Sequence, residues 1–311
     1  YHFYKYGGIC YYCTNVDVPQ TQTISENTTW ENVSVSNTII VEDGATLTIN
    51  GIIGCEDASK LIIKDGGQLV HNNVGVMATL EKKIEGYGST NGSWYTISSP
   101  LVGNTNLSDI DELMPVAGNY DLYRYDEPTS VWQNEKETSN GFTKMETGRG
   151  YLYANEYDAT ISFVGELNSD DVNYYLSKTQ NIALSGFHLI GNPFTHNIYK
   201  GNGASIDDKN LAKGYYSLLN SGAWGAKISN ETPITPGQSI LVKTTQEGNI
   251  VIKKTIVQPS QKSMMDVLSI TVGNGNYEDN AYVMFDEGVA LEKINHQNQE
   301  VPLLYVPVEN V

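Results

Sequence analysis

Two histidines that lie close together in the sequence are the first candidates for chemistry. His188 and His196 flank the turn Gly191-Asn192-Pro193, and with Asp207 or Asp208 as a further ligand they would form a metal site of the zinc type. The alternative is a strand histidine followed by a loop histidine, both structural, and we favour it. No serine lies in a G-x-S-x-G motif, so the usual signature of a serine hydrolase is missing.

Paired carboxylates are the next candidates, because glycosidases need two. Acidic doublets occur at Asp126-Glu127, Asp170-Asp171 and Asp207-Asp208, and Glu146 lies near Arg149. Neighbouring residues of a strand point to opposite faces, so a doublet does not form an acid and base pair by itself. With 36 acidic residues among 311, doublets are also expected by chance. We therefore predict no catalytic residues and no enzymatic activity.

Loop carboxylates could instead hold calcium, which takes six to eight oxygen ligands. Asp109 and Asp111 alternate along the chain before Glu112, while Asp279 and Asp286 flank a candidate strand. The alternative for the first group is a negatively charged start of a short helix. The sequence neither predicts nor excludes a structural calcium ion on this basis. No other cofactor and no other metal site are predicted.

Aromatic side chains are the remaining signal for a binding site. Tyrosines two residues apart on one strand share a face, so Tyr123 with Tyr125, and Tyr151 with Tyr153, could combine with Trp132 into a platform for sugar rings or a protein partner. If the same faces point inward, these residues are core. We favour the core interpretation, because the second copy of the repeat described below has aliphatic residues such as Leu218, Ile240 and Val242 around the corresponding positions.

Cysteine is sparse in this chain. Cys10 and Cys13 have CxxC spacing, but no thioredoxin-like pattern surrounds them, no histidine follows for haem attachment and no second pair follows for zinc. We interpret them as a local disulfide or two free thiols. Cys55 has the sequence context of a small buried residue in a repeat turn.

The composition excludes several classes of partner. The net charge is −17 and the only arginines are Arg124 and Arg149, so a nucleic-acid partner, which needs clustered cations, is not expected. No run of eighteen apolar residues is present, so we predict no membrane span. The 21 tyrosines and 29 glycines suit a β-rich protein with wet outer faces and many short turns.

An internal repeat near the start of the chain predicts a β-solenoid. TIIVEDGATLTI at residues 38–49 matches KLIIKDGGQLVH at residues 60–71 with an offset of 22 residues. Each copy has apolar residues on both sides of an Asp-Gly turn, and slightly more than twenty residues is one coil of a parallel β-solenoid. We also expect an earlier partial coil near residues 30–35 and so only a short stack.

A larger duplication follows. WYTISSPL at residues 94–101 matches FHLIGNPF at 187–194, YDLYRYDEPTSVW at 120–132 matches GYYSLLNSGAW at 214–224, and TGRGYLYA at 147–154 matches PGQSILVK at 236–243. The offsets stay between 89 and 93 residues, from Ile97 and Ile190 to Leu152 and Leu241. The copies predict either two halves of one sandwich or two small tandem sandwiches.

These patterns predict an all-β protein: a short parallel β-solenoid, then a duplicated antiparallel, jelly-roll-like β-sandwich, then the start of a further β domain. The boundaries that we expect are an N-terminal segment at residues 1–15, the solenoid at 16–80, the sandwich at 81–256 with copies at about 94–167 and 187–254, and an incomplete β region at 264–311. Short helices are expected only at residues 107–113 and 206–213. We also expect a processed or truncated piece of a longer protein, attached to further domains.

The layout resembles surface and secreted proteins of the Bacteroidetes phylum that leave the cell by type IX secretion. The resemblance covers most of the chain and rests on the DGAxLxI solenoid motif, WYTISSP, YDLYRYDE, GRGYLYAN, HLIGNPF, and DNAYVMFDEG with LEK at residues 279–293. In that group such regions are stalk, adhesion or accessory modules next to a head and a C-terminal sorting domain. The resemblance implies export across the outer membrane and an extracellular or cell-surface location.

We therefore predict a non-catalytic extracellular surface module: a stalk, an adhesin segment or an accessory domain of a secreted protein. The alternative is a carbohydrate-binding module with the tyrosine and tryptophan platform, and a polysaccharide-degrading enzyme ranks third. A glycan or a host or cell-surface protein is the expected partner.

Overall fold

The computed structural model describes the chain in ranges separated by short gaps: residues 3–6, 9–12, 15–16, 18, 20–88, 94–116, 119–219, 222, 224–227, 232–255, 267–275, 278–284, 294 and 304. Within this part of the chain the protein is all-β, and helical structure is confined to 3₁₀ turns of three residues each. The predicted fold class is confirmed. No helix in the described ranges is long and apolar enough to cross a membrane.

The solenoid is three-sided, its first strand lies at the expected start near residue 16, and a full coil precedes the partial coil expected at residues 30–35. After a hairpin of β1 (Phe3–Tyr6) and β2 (Ile9–Tyr12), nine short strands form three stacked coils of three strands: β3 (Asn15–Val16), β4 (Gln22–Ile24), β5 (Thr28–Trp30), β6 (Asn32–Ser34), β7 (Ile39–Val41), β8 (Thr46–Ile49), β9 (Ile53–Gly54), β10 (Leu61–Ile63) and β11 (Gln68–Val70). Strands of successive coils pair in parallel along each side.

The Asp-Gly turns do what the repeat predicts. Ile39 pairs with Leu61 and Leu47 with Leu69, which reproduces the offset of 22 residues. Gly44 and Gly66 have φ angles of +78° and +86°, a backbone conformation that suits glycine. The coils bury their apolar residues inside the stack, and buried Cys55, a free thiol, belongs to this core as predicted. Burial raises the pKa of that thiol. Cys13 and the side chain of Cys10 lie outside the described residues.

Strand β12 (Met77–Ile84) belongs to the solenoid and to the sandwich at the same time. It continues the stack by pairing in parallel with β10, and its other edge pairs antiparallel with β19 (Ala159–Glu166) along its whole length. The resulting five-stranded sheet has the order β19-β12-β10-β7-β4. The boundary that we expected at residue 80 therefore falls inside one strand.

The two copies have the same topology. In the first copy, β13 (Tyr95–Ile97), β15 (Tyr120–Asp126), β16 (Val131–Asn134) and β18 (Tyr151–Asn155) form a sheet of order β13-β18-β15-β16, and β14 (Thr105–Asn106) pairs with β17 (Lys144–Met145). In the second, β21 (Phe187–Gly191), β24 (Tyr215–Leu218), β25 (Trp224–Lys227) and β26 (Ser239–Lys243) form a sheet of order β21-β26-β24-β25. The second sheet of that copy contains β20 (Val172–Leu176), β22 (Lys200–Gly201), β23 (Ile206–Asp207) and β27 (Gly248–Ile252).

Each copy is a small sandwich, as in the tandem alternative. The core of the second copy lies between its own two sheets and includes Ile190, Tyr215 and Ile252. The core of the first copy is continuous with that of the solenoid, because β12 and β19 supply its second sheet. Both copies also begin one strand earlier than the sequence repeat suggested, since β12 pairs with β19 as β20 pairs with β27.

The two expected helices are shorter than predicted. The chain forms single 3₁₀ turns at Leu107–Asp109 and Asp208–Asn210 and then returns to extended backbone at Ile110 and Leu211. These segments are held by strand contacts, such as the isolated bridge between Leu211 and Thr244, so a second helical turn does not form. Beyond the second copy, β28 (Val267–Gly273) pairs antiparallel with β29 (Glu278–Met284). The candidate strand at residues 302–308 is described only at Leu304.

Candidate functional site: the seam between the two copies

The seam is the surface along which the four-stranded sheets of the two copies face each other. Its apolar centre includes Tyr125 from the first copy and Phe187, Leu189, Tyr216 and Leu241 from the second. Corresponding positions of the repeat meet across it, as in an interface with two-fold symmetry. The ring centroids of Trp132 and its counterpart Trp224 are 6.4 Å apart, and the two rings are inclined by 15°.

The same correspondence holds at the closest backbone approaches. Gly150 lies against its counterpart Ser239, and a Cβ atom added to Gly150 would overlap the Ser239 side chain. Gly191 likewise lies against its counterpart Ser98, and its added Cβ would also come within 2.7 Å of the Arg149 carbonyl oxygen. The small residues at these four positions therefore set how closely the two sheets pack.

Hydrogen bonds cross the seam at these points. The amide of Gly150 donates to the Leu189 carbonyl at 2.8 Å, and the amide of Gly191 donates to the Gly148 carbonyl at 2.9 Å. The Ser98 hydroxyl lies 2.9 Å from the Gln238 carbonyl oxygen. The seam is thus bonded through the main chain as well as packed, which fixes the relative position of the copies.

The structure divides the five predicted binding residues into two groups. Tyr151 and Tyr153 are completely buried and Tyr125 is 5% exposed, so these three belong to the core, and the platform cannot include their rings. Burial raises the pKa of all three phenols. Trp132 is half-buried at the seam, and Tyr123 is half-buried beside Trp94. The shared face expected for Tyr123 and Tyr125 is therefore not an exposed one.

Trp94 and Trp224 are the aromatic residues that the sequence reasoning left out of the platform. The ring centroids of Trp94 and Tyr123 are 5.9 Å apart, and Trp94 is 37% exposed. The corresponding pair in the second copy, Phe187 and Tyr216, has the same centroid separation but is buried. The match of residues 94–101 with 187–194 contained this information, because it aligns Trp94 with Phe187.

Glu127 of the first copy is hydrogen-bonded to residues 177–186, the segment that leads into the second copy. Its carboxylate accepts hydrogen bonds from the Ser177 hydroxyl at 2.7 Å, the Thr179 amide at 2.8 Å, the Thr179 hydroxyl at 3.0 Å and the Gly186 amide at 2.8 Å. Burial alone would raise the pKa of this carboxyl, but the four hydrogen bonds outweigh it and the pKa is lowered. Sequence reasoning weighed Glu127 only as half of an acidic doublet and missed this role.

The predicted histidine pair bonds to separate parts of the backbone. His188 Nε2 lies 2.8 Å from the Ser177 carbonyl oxygen, and His196 Nδ1 lies 3.1 Å from that of Asn197. Burial lowers the pKa of both rings. The suggested third ligands are engaged elsewhere: Asp207 caps the 3₁₀ turn at the Lys209 amide, and Asp208 forms an ion pair with buried Lys200.

The described acidic residues considered as calcium ligands each bond to a different partner. Asp109 accepts from the Asn106 side-chain amide at 2.7 Å, and the carbonyl oxygen of Asp111 accepts from the Ser162 amide at 3.1 Å. Asp279 accepts from the Leu304 amide at 2.7 Å, while Asp286 lies outside the described residues. In the described ranges no three side chains of His, Cys, Asp or Glu are grouped so that they could hold a metal ion.

Comparisons with protein-family models, with curated proteins and with solved structures give no match to this chain.

Proposed function

We propose that this chain is a non-catalytic extracellular surface module, a rigid stalk or accessory segment that holds other parts of a secreted protein in place. The observation that carries the proposal is strand β12, which is shared by the solenoid and the first copy. A shared strand leaves no linker at which the two units could hinge.

The contacts close into a ring of three units. The solenoid joins the first copy through β12, and the first copy joins the second along the seam. The second copy returns to the solenoid, where the Leu69 amide donates to the Thr195 carbonyl at 2.8 Å and the Thr195 hydroxyl donates to the Leu69 carbonyl at 2.8 Å. Three units joined in a closed ring resist bending better than the same units joined in a row.

Rigidity can be measured by the distance between two spin labels. We would place them at exposed Ile52 in the solenoid and exposed Tyr175 in the second copy, after replacing Cys10 and Cys13 by serine. A single narrow distance distribution is expected, because the closed ring fixes the two units. A broad or bimodal distribution would count against a rigid module.

The matched variant weakens the third contact by removing its two side-chain hydrogen bonds, while the main-chain bond from the Leu69 amide to the Thr195 carbonyl stays. Thr195→Val keeps the size of the side chain and loses its hydroxyl, and Gln68→Ala removes the acceptor of the Asn197 amide. In this double variant the distribution between the same labels should broaden. An unchanged distribution would show that these two side-chain hydrogen bonds add nothing to the rigidity.

Surface location and export by type IX secretion are part of the proposal and rest on the motif resemblance. Antibodies against the chain should label intact cells that make the protein. Labelling that requires permeabilised cells would overturn the proposed location. A companion assay on a panel of polysaccharides addresses the enzymatic alternative, since turnover that disappears on neutralising one carboxylate would replace the proposal.

A glycan-binding function is the second candidate, and exposed Trp94 beside Tyr123 is the observation that favours it. Exposed aromatic rings suit stacking against sugars. Trp94→Ala should abolish binding on a glycan array while the chain stays folded. Trp132 is less suitable for this test, because its ring packs against both Tyr125 and Trp224, so truncation would disturb the seam. The absence of binding to any glycan of a broad array would rule out this second function.

A further inference from the structure

The return contact between the second copy and the solenoid covers an open sheet edge. Strand β11 is the last strand of its sheet, and Thr195 bonds to it at Leu69 in both directions. The Asn197 amide adds a bond of 2.8 Å to the Gln68 side chain. The turn at residues 192–197 therefore replaces the missing neighbour of β11, as covered edges usually require.

Two buried imidazoles lie within this contact. His71 follows β11 and is 9% exposed, and His196 follows Thr195 and is 6% exposed. The Asn73 amide donates to His71 Nδ1 at 3.3 Å, so that nitrogen carries no proton in this arrangement. The ring of His196 stacks on Phe194 with a centroid separation of 5.2 Å and an inclination of 3°.

Burial and the nearby cations favour the neutral forms of the two rings, and at His196 they outweigh hydrogen bonds to the main chain of Asn197 and Lys254, which favour the protonated form. His71 interacts with His196 and with Lys254, and His196 also interacts with Lys254, so protonation of either ring adds a cation beside a cation. Lys254 donates to the Ser169 carbonyl at 2.6 Å, and its amide donates to the Asp171 carboxylate at 2.9 Å. The Asp171 carboxylate thus bonds the main chain of Lys254 rather than either ring.

We propose that this junction is an acid-sensitive latch, in which protonation of His71 and His196 releases the turn at Thr195 from strand β11. The release uncovers the backbone edge of β11 while the solenoid, the first copy and the seam stay folded. The inference goes beyond the proposed stalk function and does not depend on it.

The direction in which pH shifts the latch between its closed and open forms follows from proton linkage. Burial lowers the pKa of His71 to about 4 from its ordinary value of 6.5. We expect the ring to regain the ordinary value when opening of the latch exposes it to solvent. The open form therefore binds more protons between these two values, so the closed form is fully favoured above pH 6.5 and loses stability as the pH falls toward 4. At about pH 5, His71 alone would shift the equilibrium toward the open form by about 30-fold.

Amide hydrogen exchange of the whole chain tests the latch at two adjacent residues. The Leu69 amide bonds across the junction to Thr195, whereas the Gln68 amide bonds within the solenoid to the Ala45 carbonyl at 2.9 Å. After correction for intrinsic rates, protection of Leu69 should fall by about 10- to 30-fold between about pH 7.5 and about pH 5, while Gln68 keeps its protection. Equal losses at both residues, or no loss at Leu69, would overturn the proposal.

A non-titrating variant separates the latch from general acid sensitivity. His71→Asn keeps an acceptor near the position of Nδ1 and cannot take up a proton, so the acid-induced loss at Leu69 should largely disappear. His188→Gln is the matched control, because His188 is also buried but bonds to Ser177, and it should leave the loss intact. A loss at Leu69 of equal size in His71→Asn would refute the role of His71.

Direct titration of the rings covers the case in which His71→Asn does not fold. In the unaltered protein, the imidazole signal of His71 should titrate well below 6.5 and that of His196 below its ordinary value, both in step with the exposure of the Leu69 amide. A ring of His71 that titrates near its ordinary value while Leu69 stays protected would overturn the latch.

Discussion

Glu127 shows how a single buried carboxylate can serve structure rather than catalysis. It is 1% exposed, and its two oxygens accept four hydrogen bonds from residues 177–186, the segment that leads into the second copy. Hydrogen bonds to a charged acceptor are stronger than neutral ones. The carboxylate therefore ties the first copy to the start of the second.

Replacing Glu127 by glutamine should lower the free energy of unfolding by about 1–3 kcal/mol, because a neutral amide accepts these bonds less well and brings donors of its own. Since the folded pKa is lowered, the contribution of Glu127 is complete above the ordinary pKa and is lost as the pH falls through the folded value. Urea unfolding near neutral pH and at about pH 3 should thus show a smaller difference in acid. Glu137→Gln, at an exposed position, is the control and should be neutral.

The buried tyrosines mark what residue patterns could and could not predict. The alternation of Tyr151 and Tyr153 placed them on one face, and the structure confirms that both share the core. Alternation did not predict that Tyr125 is buried while Tyr123 on the same strand is only half-buried, because the second copy covers Tyr125. Which outer face of a sheet is covered depends on partners far away in the sequence.

At the scale of elements, the seam depends on small residues at matched positions. Gly150 and Ser239 occupy corresponding places in the repeat and touch each other, and the Ser239 hydroxyl has no hydrogen-bond partner among the described residues. The size of the side chain that fits at residue 150 therefore depends on the size of the side chain at residue 239.

A double-mutant cycle measures this dependence. Gly150→Ala should lower the free energy of unfolding by about 1–3 kcal/mol through overpacking. Ser239→Gly combined with it should recover part of the loss, because the added Cβ also meets the Leu189 side chain at 2.8 Å, which Ser239→Gly leaves in place. Gly54→Ala is the control, since an added Cβ meets nothing within 4 Å there, and it should be nearly neutral. Purely additive effects at residues 150 and 239 would show that the two sheets do not meet as described.

The repeats made most strands predictable, except where one strand or contact belongs to two units of the molecule. The Asp43-Gly44 and Asp65-Gly66 turns predicted the solenoid coils, and the near-constant offsets of the larger repeat predicted which strands of the two copies correspond, although not their order in the sheets. Strand β12 was divided at residue 80 because its sequence carries no sign that its two edges pair with different units. Thr195 contacts Leu69, which lies 126 residues away in the sequence, and the sequence around either residue carries no pattern that predicts this contact.

At the scale of the whole molecule, the shared strand, the seam and the return contact make the stability of each unit depend on the others. The first copy borrows β12 from the solenoid stack, and the second copy covers the edge of β11. Units that share a core and bury each other's edges are expected to unfold together.

The most direct test uses the four tryptophans as fluorine probes in the otherwise unaltered protein. Trp30 reports on the solenoid, Trp94 on the first copy, and Trp132 and Trp224 on the seam. With 5-fluorotryptophan incorporated, each residue gives its own ¹⁹F signal, which can be followed through a urea titration near neutral pH. We expect all four signals to change with one midpoint and one slope. A Trp30 transition that is separate from those of Trp132 and Trp224 would contradict the single rigid unit.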